Sequence, residues 1–151
     1  MAGVVAEGWL ARMPLAPAPR PIEVPAIASV VIELPTNDPA RDSVAMYRSL
    51  FHGRPVANGW SGYAPPTVRE LMRIDGGNAT VLRDWAARGP VAIIVHTDAP
   101  ALSRYQTLLK EVGASCSTSG DAMVCTVTSD RASACAACAE SGDGRRPIHG
   151  R

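Results

Sequence analysis

Lysine is almost missing from this chain: of its 15 basic residues only Lys110 is not an arginine, and against 14 acidic residues they leave a net charge of +1. The arginines are scattered rather than gathered on one face, so nothing draws the chain toward nucleic acid or anionic lipid. No nucleic-acid partner is expected. Long apolar runs are missing as well. The longest clean one, Val91 to Val95, falls far short of the ~20 residues that cross a bilayer, and no membrane span is expected in this chain. The opening MAGVVAEGWLARMP has no basic stretch ahead of a long apolar core and makes a poor secretory signal. No G-x-G-x-x-G follows the first strand, no P-loop is present, and GWSGY sets Ser61 between glycines without the spacing of a nucleophile elbow. The chain therefore offers no complete catalytic set, and no cofactor is expected.

What is present suits one globular domain: 46% of the residues are hydrophobic and 19% charged, in a chain of 151. Prolines at 14, 17, 19, 21 and 25 remove backbone donors and hold the chain extended, so residues 1–27 are expected to form a linker or extended arm. Residues 129–151 have almost no large apolar side chains and are expected to be a flexible tail. The α/β domain is expected over 28–128.

Within it the signals alternate. ASVVIELP (28–35) is β-branched and nearly all apolar, as in a strand covered on both faces. Asp38 and Pro39 make an N-cap and first helical residue, and Ala40, Val44, Tyr47 and Phe51 then recur at the spacing of one buried helical face until Gly53. Pro66 opens a short helix with Val68, Leu71 and Met72. A second one carries Val81, Leu82, Trp85 and Ala86 and ends at Gly89-Pro90. VAIIVHT (91–97) is another buried strand. Asp98 is expected to cap a helix with the stripe Leu102, Tyr105, Leu108, Leu109 and Val112, closed by Gly113. ASCST and AMVCTVT then form a hairpin. The alternation predicts an α/β fold: a mostly parallel sheet with flanking helices, Rossmann-like and three-layered, with an antiparallel C-terminal hairpin at one edge.

A two-residue turn at Gly120-Asp121 sets Ser119 opposite Ala122 and, counting outward, Cys116 opposite Cys125. That position allows a cross-strand disulfide, which would imply an oxidising compartment; two facing free thiols would leave the same pattern. Cys135 and Cys138 have the spacing of a redox pair or half a zinc site. The second C-x-x-C of a zinc ribbon is missing, and so are the strand and helix that flank a thioredoxin-like pair. No metal site is expected.

The segment HGRPVANGWSGYAPP (52–66) is the most unusual in the chain. Its glycines permit positive φ and its prolines stiffen the path. Trp60 and Tyr63 offer flat faces of the kind that stack on sugar rings, while His52, Arg54, Asn58 and Ser61 can donate hydrogen bonds to hydroxyls or a phosphate. The same side chains can equally pack over the sheet and satisfy turn backbone. Glu33 and His96, at the ends of two apolar strands, fall at the carboxyl edge where open α/β sheets bind ligands.

Taken together, VVIELP (30–35), MYRSLFHGRPVANGWSGYAPP (46–66), LRDWAARGPVAIIVH (82–96) and YQTLLKEVG (105–113) resemble the C-terminal soluble, extracytoplasmic domain of bacterial multi-spanning GT-C-like membrane glycosyltransferases. The resemblance covers roughly residues 28–128. It implies a parent that uses a polyprenyl-phosphate-linked sugar, and a location in the periplasm or on the outer face of the cytoplasmic membrane; without it, the chain would be a soluble cytoplasmic protein. Relatives of this kind carry their catalytic carboxylate in a membrane-proximal loop that has no counterpart here. The expected function is thus a noncatalytic accessory domain that contacts glycan or the membrane portion through loop 52–66. The alternatives are a stand-alone binder of a small ligand near Glu33, Asn58 and His96, or a thiol or zinc protein using Cys135 and Cys138.

Overall fold

The computed structural model describes residues 17–59 and 66–129. Strand β1 (Val30–Leu34) leads into helix α1 (Pro39–His52), then helices α2 (Thr67–Asp75) and α3 (Ala79–Arg88). Strand β2 (Val91–His96), helix α4 (Leu102–Glu111) and the hairpin of β3 (Ser115–Ser119) and β4 (Ala122–Val127) follow. The strands form one sheet in the order β1-β2-β4-β3. β1 and β2 run parallel with Val30 beside Val91 and Leu34 beside Val95, and all six residues of β2 are buried, as their unbroken apolar run requires.

The mostly parallel, Rossmann-like sheet expected from the alternation is met by a mixed one: only β1–β2 is parallel, and β2–β4 and β4–β3 are antiparallel. The reason is the hairpin. Its turn at Gly120-Asp121, with Gly120 at φ 60°, reverses β3 into β4, and β4 rather than β3 inserts beside β2.

Alternation along the strands separates two cores. Ile32, Leu34, Val91, Ile93, Val95, Cys125 and Val127 face α2, α3 and α4, which contribute Leu71, Ile74, Leu82, Ala86, Tyr105, Leu108 and Leu109. Tyr105 also donates from its hydroxyl to Asp75 Oδ1 at 2.7 Å, and burial together with that carboxylate pushes the phenol up to about 12. On the opposite face Val31, Ala92, Ile94, Ala122 and Val124 pack with Ile22 and Ala28 from the extended segment ahead of β1. Val31 also pairs with Val56 in an isolated bridge, so the chain after α1 runs alongside the free edge of β1.

Helix α1 lies on this second face and reverses the expected pattern. Asp38 caps it through Ala40 N and Arg41 N, Pro39 occupies its first turn, and Gly53 ends it at φ 63°. Its buried residues, however, are Asp42, Ala45 and Arg48, whereas Tyr47 and Phe51 of the expected core stripe are 41% and 50% exposed. The physical cause lies beneath the helix, where Glu33 and His96 interrupt the apolar face and require polar partners. Asp98 also differs from expectation. Helix α4 starts at Leu102 without a side-chain cap, because the Asp98 carboxylate is held by Arg41 instead.

Candidate functional site

Glu33 is the one acid in β1 and is 2% exposed. Its register neighbour is Ile94, so it shares a face with Ile94 and His96 on β2. A carboxylate in such a place needs a cation, and Arg48 supplies it from the inner face of α1: Nη1 stands 2.6 Å from Glu33 Oε2. Arg48 Nη1 also lies 3.2 Å from His96 Nε2, which is in turn 3.1 Å from the same Glu33 oxygen. Arginine can only donate, so the ring either accepts from Arg48 or donates to Glu33, one tautomer serving each case. Arg48 Nε donates to the Arg20 carbonyl at 3.2 Å, tying the arm to the same cluster.

Asn58 completes it from the loop after α1. Its Oδ1 accepts from Glu33 N at 2.9 Å and its Nδ2 donates to Asp42 Oδ1 at 2.9 Å, linking strand, loop and helix through one buried amide. Burial raises the Asp42 carboxyl above its ordinary value, with the Asn58 hydrogen bond acting in the opposite direction. Glu33 Oε1 is buried and has no hydrogen-bond partner among the described residues.

Beside this cluster, at the carboxyl ends of β1 and β2, opens a pocket of about 480 Å³. Arg48 and His96 line it from within. The N-cap and first turns of α1 add Asp38, Ala40, Arg41 and Val44, and the loops after β2 and β3 add Thr97, Asp98 and Asp121. Arg41 and Asp98 meet across its mouth in a bidentate pair, Nη1–Oδ1 3.2 Å and Nη2–Oδ2 3.0 Å, and this pairing lowers the Asp98 carboxyl.

Of the residues singled out by sequence, Glu33, Asn58 and His96 come together. His52 and Arg54 are otherwise engaged: His52 Nδ1 accepts from Arg54 N at 3.1 Å, and the Arg54 guanidinium donates to the Ala26 carbonyl at 2.7 Å. Burial lowers His52 below the usual histidine value, with Glu33 opposing and Arg54 adding to the effect. Trp60, Ser61 and Tyr63 lie outside the described residues, as do Cys135 and Cys138. Cys116 and Cys125 are joined by a disulfide, their Cα atoms 4.0 Å apart. Sequence reasoning missed Arg41, Asp42, Arg48, Asp98 and Asp121. A signal for Arg48 was present: an acid inside an apolar strand needs a cation, and Asp42, Ala45 and Arg48 recur at one-face spacing on the next helix.

Among the described residues no group of three or more His, Cys, Asp or Glu is placed to hold a metal ion, and no described helix is long and apolar enough to cross a membrane. No family model, curated protein or solved structure matches the chain.

Proposed function

We propose that this chain is a noncatalytic α/β accessory domain of a membrane glycosyltransferase-like protein, docking on the membrane portion of its parent through the outer face of α1 and the adjoining loop 52–66. The observation that carries this reading is the outward apolar face of α1, where Met46, Tyr47, Leu50 and Phe51 are 47%, 41%, 77% and 50% exposed. Tyr47 and Phe51 pack edge to face, with ring centroids 5.5 Å apart. A helix that turns polar groups to its own sheet and apolar ones to solvent gains little from folding by that outer face. Contiguous exposure of this kind marks a surface that something else covers. Gly59 of that loop belongs to the same surface, since it lies against Met46, whose Cγ and Sδ would stand 3.2 Å from an added Cβ.

Two further points support the reading. The similarity of residues 28–128 to the extracytoplasmic domains of GT-C-like enzymes supplies the parent and its polyprenyl-phosphate-linked sugar, and the Cys116–Cys125 disulfide suits an oxidising compartment. A photo-crosslinking residue placed at Leu50 in cells tests it. Adducts are expected with a multi-spanning membrane protein encoded in the same or an adjacent reading frame; labelling by water alone, with no hydrophobic spans encoded upstream, would rule the reading out.

A second reading, a stand-alone domain that binds a small ligand, is favoured by one specific observation: the pocket at the strand ends is floored by Arg48 and His96, which the Glu33 carboxylate holds in place.

A further inference from the structure

We infer that the Cys116–Cys125 disulfide is a site of thiol–disulfide exchange, entered at the Cys116 sulfur from the open edge of the sheet by a dithiol. The dithiol is of the C-x-x-C type, which Cys135 and Cys138 of this chain have by spacing and which a partner protein can equally present.

Thiolate attack on a disulfide runs collinear with the bond that breaks, so access to each sulfur is set by what lies beyond it. The strand order β1-β2-β4-β3 puts Cys125 on an inner strand and Cys116 on the outermost one, with the bond bridging from β4 to β3. Beyond Cys125 lies β2, where Ile93 is its register neighbour, and Cys125 is fully buried in the core with Ile93 and Val127. That sulfur is closed to attack. Beyond Cys116 no further strand follows among the described residues, and all five residues of β3 are exposed. The opposite edge differs, since the bridge from Val31 to Val56 covers β1 there. Residues 114–120 also carry no charged side chain, so an approaching thiolate meets no carboxylate on that strand.

The exchange balances within the two pairs of sulfurs. One thiolate of the dithiol bonds to Cys116 Sγ, the Cys116–Cys125 bond breaks, and Cys125 leaves as a thiolate that takes up the proton released by the attacking thiol. Cys125 is then a buried thiol, which its apolar surroundings accept. The second thiol of the dithiol, itself deprotonated, attacks the sulfur of the first, and Cys116 leaves with that second proton. Two electrons and two protons have passed to the hairpin, and the dithiol has become a disulfide; the reverse sequence returns the disulfide to β3 and β4. Counted along the sequence, Cys135 lies eight positions after Val127, a reach of up to roughly 26 Å, against roughly 8 Å back to Cys116.

The test maps the exchange on the full chain. The variant Cys135→Ser/Cys138→Ser, its hairpin disulfide formed, is incubated without denaturant in reduced glutathione, quenched by alkylation and digested for mass spectrometry. Glutathione is expected on Cys116 at least about tenfold more often than on Cys125. Adducts shared evenly between the two, or a disulfide that resists until urea unfolds the domain, would overturn the proposal and leave the bond a structural staple. The unchanged chain separates the two sources. Reduction about tenfold faster than in the double variant, with a mixed disulfide to Cys116 trapped by Cys135→Ser or Cys138→Ser alone, would assign the dithiol to this chain, because tethering raises its effective concentration. Equal rates would overturn that assignment and give the role to a partner's dithiol. A soluble C-x-x-C peptide should then reduce the double variant about tenfold faster than glutathione at equal thiol, and no gain would overturn a dithiol as the partner.

Discussion

Arg48 holds three groups at once: the Glu33 carboxylate, the His96 ring and the Arg20 carbonyl. With both ionic side chains nearly out of solvent, the pair adds less to stability than its short distance suggests, yet removing one member leaves the other buried and unmatched. Arg48→Ala is therefore expected to cost about 3–5 kcal/mol in urea denaturation. The double variant Glu33→Gln/Arg48→Met should recover most of that loss, because it removes the stranded charge. Asp42 makes a separate prediction. Its carboxyl is raised by burial, so the folded chain retains a proton that the unfolded chain has released, and stability must fall as pH rises from the ordinary aspartate value to the raised one. Asp42→Asn should flatten that part of the wild-type profile, which denaturation midpoints measured against pH will show. His52 has the opposite sense. Its value is lowered, so the folded chain resists protonation and loses stability as pH falls through the ordinary histidine range; His52→Gln should remove that component.

Among the elements, the hairpin and α1 differ most in how legible they were. The pairing of β3 with β4 follows from a two-residue turn and a period of two, and it sets Cys116 opposite Cys125 with Ser119 opposite Ala122. A disulfide there closes a short loop across a fully exposed strand. Replacing both cysteines by serine should lower stability by about 2–3 kcal/mol on the chain-entropy argument, read from the denaturation midpoint together with the slope. Helix α1 was legible in its ends and not in its orientation. Asp38, Pro39 and Gly53 mark its limits by local chemistry, but Ala40, Val44, Tyr47 and Phe51 recur at helical spacing just as Asp42, Ala45 and Arg48 do. Apolar spacing alone selects the first set. What selects the second is long-range: Glu33 and His96 arrive beneath the helix from two different strands, and no local pattern states that they meet. The same limit hid Arg41 and Asp98, which are 57 positions apart and pair only once α1 lies beside the loop after β2.

For the whole molecule, the two faces of the sheet do different work. The face toward α2, α3 and α4 is a continuous apolar core that carries the stability of the fold. On the other, a smaller apolar cluster gives way at the strand ends to the Glu33, Arg48, His96 and Asn58 network, so that α1 is fastened by polar contacts and leaves its apolar side facing outward. The outward face is what the proposed docking requires, and the strand-end network is what shapes the pocket. Both depend on the orientation of α1. Leu50→Asp tests that orientation most directly, through its urea denaturation curve beside that of the unchanged protein. With Leu50 77% exposed in the last turn of α1, the account predicts a loss of no more than about 1 kcal/mol, the cost of an aspartate at a helix C-terminus. A loss of several kcal/mol would place Leu50 in the core and contradict it.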